Sequence, residues 1–433
     1  MRGAVTAWNR WPVFRDQTVV GLYDRDAPLP RLAKPCIAHG NGRSYSDVCL
    51  NEGGYLLGTR TLDRFITFDR DAGRICCEAG VLLEDIVRLT VPRGWFLPVT
   101  PGTLQVTVGG AIANDVHGKN HHVAGSFGRH VRKLALRRSD GELKICGPDA
   151  HPDWFAATVG GLGLTGVIVW AEIQLLAIES EQMDLQSTRF ESLDAFWAIN
   201  EEATARWPYT VAWLDCLARS RGALGRGWLH CGRHAAAAAQ SAARPGRSRR
   251  IRFEPPVSLV NRASARIFNA LYYRAPRALA ASGHFQPFFY PLDRVRDWNR
   301  LYGPRGFLQY QCVLPPPDSR PALALILKRI AASGEAAFLG VLKTFGDFPA
   351  TGLLSFTRAG ATLAVDFPNR GVQTMRLFRD LDRLVQDAGG ALYPAKDARM
   401  PARMFRAGYP RISEFSAYVD PMMSSSFWRR VSG

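Results

Sequence analysis

The stretch Pro35-Cys36-Ile37-Ala38-His39-Gly40-Asn41-Gly42-Arg43-Ser44-Tyr45-Ser46-Asp47, answered further along by Thr107-Val108-Gly109-Gly110-Ala111-Ile112-Ala113-Asn114, sets the architecture of this chain. A lone GxG says little, because most glycines serve turns that need φ > 0. Here Gly40-x-Gly42 follows a short apolar approach and ends in Arg43-Ser44-Tyr45. Backbone N–H groups, a guanidinium and hydroxyls are therefore expected to converge on one point, which is what an anion requires. Two such loops imply a bound dinucleotide. Neither is a Rossmann fingerprint or a P-loop. Gly161-Leu162-Gly163-Leu164-Thr165-Gly166 does spell GxGxxG, but it runs into the alternating, β-branched residues 167–173 and reads as a turn entering a strand.

Outward from these loops, residues 35–178 are glycine-punctuated short strands at 55–57, 65–68, 74–79, 133–136 and 166–176. One amphipathic helix stands at 82–90, with a single apolar stripe. Near residue 180 the texture changes to a helix around 193–200 and a strand over 209–215. Later strands are expected at 307–314, 337–343 and 362–367, with helices over 318–333 and 371–388, which suits an antiparallel sheet backed by helices. The fold class is α+β. The organisation is 1–180 as one domain of two α+β subdomains, 181–390 as a second, and 391–433 returning to the first. Residues 235–250, alanines running into Arg244, Arg247, Arg249 and Arg250, read as a mobile basic loop.

A chain of 433 residues, 47 % of them apolar, fits two domains of about 150–250 residues each. It has no apolar run long enough for a membrane span, and its first ten residues lack the apolar core of a secretory signal, so a soluble cytoplasmic protein is expected. The net charge of +17 fits a nucleic-acid backbone, an acidic membrane surface, or simply a solvated arginine-rich exterior. Eight cysteines show no CxxC and read as small core residues in a reducing compartment, Cys76 and Cys77 facing opposite sides of one strand.

The first loop (residues 40–47), Thr100-Pro101-Gly102 leading into the second, Asp115-Val116-His117-Gly118-Lys119-Asn120-His121-His122, Gly125-Ser126-Phe127-Gly128, Phe307-Leu308-Gln309-Tyr310-Gln311 and Leu392-Tyr393-Pro394-Ala395-Lys396-Asp397 together resemble the decaprenylphosphoryl-β-D-ribose 2-oxidase family. That family belongs to the vanillyl-alcohol-oxidase, or PCMH-type, flavoproteins, and the resemblance spans nearly the whole chain. It implies a two-domain α+β PCMH-type fold with FAD between the N-terminal domain and a substrate domain, and a C-terminal segment closing the site. By position, FAD contacts are expected from Ala38, His39, Gly40, Asn41, Gly42, Arg43, Ser44, Tyr45, Ser46, Asp47 and Val48, and from Gly102, Thr107, Val108, Gly109, Gly110, Asn114, Asp115, Val116, His117, Ile168 and Tyr393. Arg43 stands where many members of the superfamily carry a flavin-linked histidine, so non-covalent FAD is expected.

The activity implied is oxidation of the 2-hydroxyl of a polyprenyl-phosphate-linked pentose to a 2-keto sugar, the oxidative half of a 2-epimerisation that makes the arabinose donor of the cell envelope. A separate NAD(P)H-dependent short-chain reductase would complete it, with quinone or oxygen as re-oxidant. Lys396 and His117 are the catalytic candidates. Burial among cations would lower an ammonium toward use as a base, whereas read without the family Lys396 is a surface lysine and His117 a buried histidine orienting its loop. Gln309, Gln311, Lys343, Tyr45 and Lys119 are the substrate candidates. Lys119, His121 and His122 form a poor metal set, and no metal is assigned. Ala364 stands where members of the family can carry cysteine. An oxidase of a soluble aldose, alditol or sugar lactone is the alternative. A basic protein binding nucleic acid or a membrane surface is the alternative of another class. No specific nucleic-acid partner is expected, while peripheral association with a membrane is.

Overall fold

The computed structural model describes residues 5–218, 221–236, 248–276 and 280–433. Most of the expected basic loop at 235–250 lies outside the described residues. The α+β class expected from the strand and helix pattern is the observed one, built chiefly on a five-stranded and an eight-stranded sheet.

The first glycine loop leaves a three-stranded parallel sheet in which Thr18–Gly21 and Cys36–His39 flank Tyr55–Gly58. Beside it stands an antiparallel five-stranded sheet in the order Phe65–Asp69, Arg74–Glu78, Val167–Gln174, Val131–Arg137, Leu143–Cys146. Its first hairpin turns at Gly73, whose φ of 62° few side chains tolerate, while the Asp69 carboxylate accepts from the Asp71 and Ala72 amides. Cys77 is buried and Cys76 is half-buried, as strand alternation requires. The helix Leu83–Thr90 buries Leu83, Ile86, Val87 and Thr90, the i, i+3, i+4, i+7 stripe. Each of its large apolar side chains contributes about 1.5–3 kcal/mol.

The second sheet is antiparallel and eight-stranded: Ala280–His284, Gln182–Phe190, Gly227–His234, Tyr209–Leu214, Gly340–Phe345, Gly360–Pro368, Phe307–Leu314 and Ala391–Leu392. Helices Leu193–Arg206, Ser319–Ser333 and Val372–Asp387 bury apolar stripes into its core. Phe307–Leu314 is buried at every position, an interior strand covered on both faces. The strand expected at 337–343 starts three residues later, at Gly340, because Ala336 and Ala337 are consumed in core packing before the ladder begins.

Two contacts tie the ends of the chain to the sheets. Ala391–Leu392 is an edge strand of the second sheet before the chain returns, and the Cys36 amide then donates to the Met422 carbonyl while the Ser424 amide donates to Cys36. At the other end, Asn9 exchanges backbone and side-chain hydrogen bonds with Phe307, so the N-terminal stretch leans on the second sheet.

Candidate active site

Strand alternation puts Gln309 and Gln311, Val341 and Lys343, and Thr362 and Ala364 on one face of the second sheet. These six residues line a cavity of about 620 Å³, in the size range of small-molecule sites. The opposite wall is made of loops. Gly40 to Tyr45 and Thr107 to Asn114 meet so closely that a Cβ on Gly40 would stand 2.5 Å from Thr107 Oγ1. That hydroxyl caps the short helix Val108–Ala113 by accepting from the Gly110 amide. The returning segment closes the space. Tyr45 donates its amide to the Ala395 carbonyl, and the Tyr393 hydroxyl donates to the Asn114 carbonyl at 2.8 Å while its ring stacks on Phe356.

Three nitrogen side chains meet inside. His117 has Lys343 Nζ 3.0 Å from Nδ1 and the Gln311 amide 2.9 Å from Nε2, and Lys343 also donates to the Gly118 carbonyl. Burial first, then the Lys343 charge, holds His117 well below the usual imidazole range, so it is neutral. Burial, with Lys119 and Lys396 nearby, pulls Lys343 down to about 7. Lys396 Nζ lies 3.6 Å from the centre of the Tyr45 ring. Burial lowers Lys396, and the Asp366 carboxylate opposes that shift. Asp366 is itself raised by burial; one oxygen accepts from Gln309 Nε2 at 2.5 Å and the other is buried with no hydrogen-bond partner among the described residues.

Most of the expected site residues line this cavity: Ala38, Gly40, Asn41, Gly42, Arg43, Ser44, Tyr45, Val48, Gly102, Thr107, Gly109, Gly110, Asn114, Val116, His117, Ile168, Gln309, Gln311, Lys343, Tyr393 and Lys396. Six expected contacts stand behind it. His39 Nδ1 bonds the Cys49 carbonyl, Ser46 caps the next turn, Asp47 pairs with Arg430 at 2.6 Å, and Val108 is fully buried. Asp115 accepts from Ser126, Gly128 and Ser355, which braces the turn that presents Asn114, Val116 and His117. Lys119 turns to the Phe289 carbonyl and is pulled down to about 7 by burial. Its ammonium is not on the cavity wall. His121 packs on the Phe345 ring, while His122 bonds the Trp207 carbonyl on another side.

Several wall residues carried no motif. Leu162, Gly163 and Gly166 come from the turn that spells GxGxxG, where Leu162 has a φ of 57°. Trp8 stacks under the Arg43 guanidinium at 4.1 Å. Arg250, Asp293, Arg296 and Asp297 form a charged lip, with Arg250 bonded to Asp297 and Asp293 accepting from the Leu104 amide. The GxGxxG spelling and the basic run that ends at Arg250 were the signals the sequence offered for these.

The wall fits a dinucleotide on its own chemistry. Among the described residues the amides of Asn41, Gly42, Arg43 and Ser44 donate to no protein acceptor, the Asn114 side-chain oxygen and Arg43 Nε are buried without partners, and Gly42 holds a φ of 60°. Unpaired donors in a tight glycine loop are what a diphosphate satisfies.

Residues 31–147 match the FAD binding domain family. The chain is 37 % identical over 421 residues to the decaprenylphosphoryl-beta-D-ribose oxidase of Mycolicibacterium smegmatis, covering 91 % of this chain and 88 % of that protein. It is 34 % identical over 372 residues to an uncharacterized protein from the mprA 5′ region of Streptomyces coelicolor, covering 81 % of this chain and all of the relative. The L-gulonolactone oxidase of Mus musculus is 30 % identical over 155 residues, about a third of each chain. Near full-length similarity on one side and a shared third on the other lead to one conclusion: the chain is an FAD-dependent oxidoreductase and belongs to the decaprenylphosphoryl-β-D-ribose oxidase family.

Proposed function

We propose that this protein oxidises the 2-hydroxyl of a pentose carried on a polyprenyl phosphate, giving a 2-keto sugar. The observation that carries the reading is the meeting of Lys396, Lys343 and His117 in one cavity whose other wall is the glycine loops. FAD, when bound, supplies the acceptor for the hydride that leaves the carbinol carbon. The loop amides of Asn41 to Ser44 and the buried Asn114 oxygen would hold the cofactor without a covalent bond, since Arg43 offers no nucleophilic nitrogen.

The chain's own groups handle the proton and the position. Lys396, lowered by burial, reaches the neutral amine form near physiological pH and takes the hydroxyl proton at Nζ as the C–H bond breaks. Lys343, pinned by His117 and the Gly118 carbonyl, places Nζ where a phosphate oxygen would sit, and the phosphate charge would hold it as the ammonium. Gln309 spends its amide N–H on Asp366 and keeps its carbonyl oxygen for a sugar hydroxyl, while Gln311 is fixed against Nε2 of His117. Tyr393 and the 394–396 turn shut out water from the reacting face.

The 2-keto product calls for a nicotinamide-dependent reductase to finish an epimerisation, and the reduced cofactor calls for a quinone or oxygen. A substrate in a lipid leaflet places the enzyme at the cytoplasmic surface of a membrane. The test is anaerobic titration of the FAD-loaded protein with polyprenyl-phosphate pentoses while the flavin absorbance is followed. Bleaching by these and not by free aldoses, alditols or sugar lactones supports the reading; the reverse pattern replaces it with a soluble-sugar oxidase.

A further inference from the structure

Beside the charged lip of the cavity, one stretch of the chain exposes several large apolar side chains: Phe253, Leu259 and Phe268 are exposed, Val257 is 69 % exposed, Ile267 62 % and Leu271 67 %. An apolar patch of this kind on a folded surface marks an interaction site. The helix Arg262–Arg274 explains half of it. Its inner side buries Ala265 and Asn269, whose amide donates to Asp215 and to the Ala337 carbonyl. Ile267 and Leu271, at i and i+4, form a stripe on the outer side, with exposed Arg266 and Arg274 flanking it. That helix contains no carboxylate.

Arginine dominates the charge of this stretch, although Arg250 is paired with Asp297 of the lip. Between residues 249 and 274 stand Arg249, Arg250, Arg252, Arg262, Arg266 and Arg274 against the single acid Glu254, and both oxygens of Glu254 are taken by Arg10 at 2.6 and 3.0 Å. The patch is also continuous with the cavity. Arg249–Arg250 pairs with Val295–Arg296, the Ile251 amide donates to the Arg296 carbonyl, and Arg250, Val295 and Arg296 line the cavity itself.

We infer that this face, from Phe253 to Leu271, docks on an anionic phospholipid leaflet and seats the mouth of the cavity on the bilayer surface. An exposed apolar stripe edged by arginines matches the interface of such a leaflet, where side chains enter the acyl boundary and guanidiniums meet phosphates. A second copy of the chain fits poorly, because a two-fold contact would bring arginine against arginine. The inference rests on the proposed substrate only in its purpose: a sugar on a polyprenyl phosphate would then enter from the leaflet past the lip.

The test is co-sedimentation of the full-length FAD-loaded protein with vesicles of phosphatidylcholine alone or mixed equally with phosphatidylglycerol. Binding is expected to the mixed vesicles only and to weaken with salt. It should fall at least about tenfold in an Ile267→Asp/Leu271→Asp variant and by roughly fivefold for each of Arg266→Gln and Arg274→Gln. Retained flavin absorbance shows that these variants fold. Absence of wild-type binding to mixed vesicles overturns the inference, as does binding that the double variant keeps. A dimer in solution that the double variant splits, without vesicle binding, overturns it in favour of a second copy. Vesicle binding together with a flavin that no polyprenyl-phosphate sugar bleaches upholds the docking face and removes the substrate reading.

Discussion

The two walls of the cavity are built on opposite principles. The loop wall, Gly40 to Tyr45 and Thr107 to Asn114, presents backbone amides and depends on the absence of side chains, so that one loop lies against the Thr107 hydroxyl of the other. The sheet wall presents side chains, Gln309, Gln311, Lys343 and Ala364, held in register by three paired strands. Backbone recognition suits a cofactor that stays, and side-chain recognition suits a substrate that must be told apart from its relatives. The reactive nitrogens stand at the junction, where burial lowers both lysines and the imidazole.

The largest expected effect falls at the junction and spares the loop wall. Lys396→Ala is expected to slow flavin reduction by about 10²–10⁴-fold, the range for loss of a general base, while the flavin stays bound. Stopped-flow bleaching against flavin content measures both, and normal reduction would strike Lys396 from the site. The converse experiment is Gly40→Ala. A methyl 2.5 Å from Thr107 Oγ1 forces the loops apart, at a cost of about 1–3 kcal/mol in urea unfolding, with loss of flavin on gel filtration. A variant that keeps both would show that the loops do not need their contact.

Asp366→Asn sharpens the junction. The Asp366 carboxylate favours the ammonium form of Lys396, so its removal lets the neutral amine form at lower pH, and the rise of reduction rate with pH should move to lower pH. An unmoved profile would separate the two groups. The smallest effect belongs to Gly102, where a Cβ meets nothing within 4 Å. Gly102→Ala should leave the stability of the flavin-free protein within about 0.5 kcal/mol, so any weakening of flavin affinity reports direct contact with the cofactor.

The same contrast explains how legible each wall was. The loop wall follows from short-range rules: glycines at turns and, for the first loop, the short apolar strand that feeds it. Asp115 shows where that reading stops, because its carboxylate lies in the right loop but turns to Ser126, Gly128 and Ser355. A loop's path can be read locally, yet which side of it a side chain takes depends on what packs behind. Lys119 is the same lesson, since Phe289, far along the chain, claims its ammonium.

The sequence by itself determined the α+β class, the two glycine loops, the helix at 83–90 with its apolar stripe, and the pairing of Gln309 with Gln311 on one strand face, because periodicity and turn chemistry act over a few residues. Only the tertiary structure decided that Trp8 supports Arg43, that Arg250, Asp293 and Asp297 form the lip, and that Asp366 stands by Lys396. Those contacts join residues far apart in the chain, and they exist only once the sheets have paired and removed water from between them.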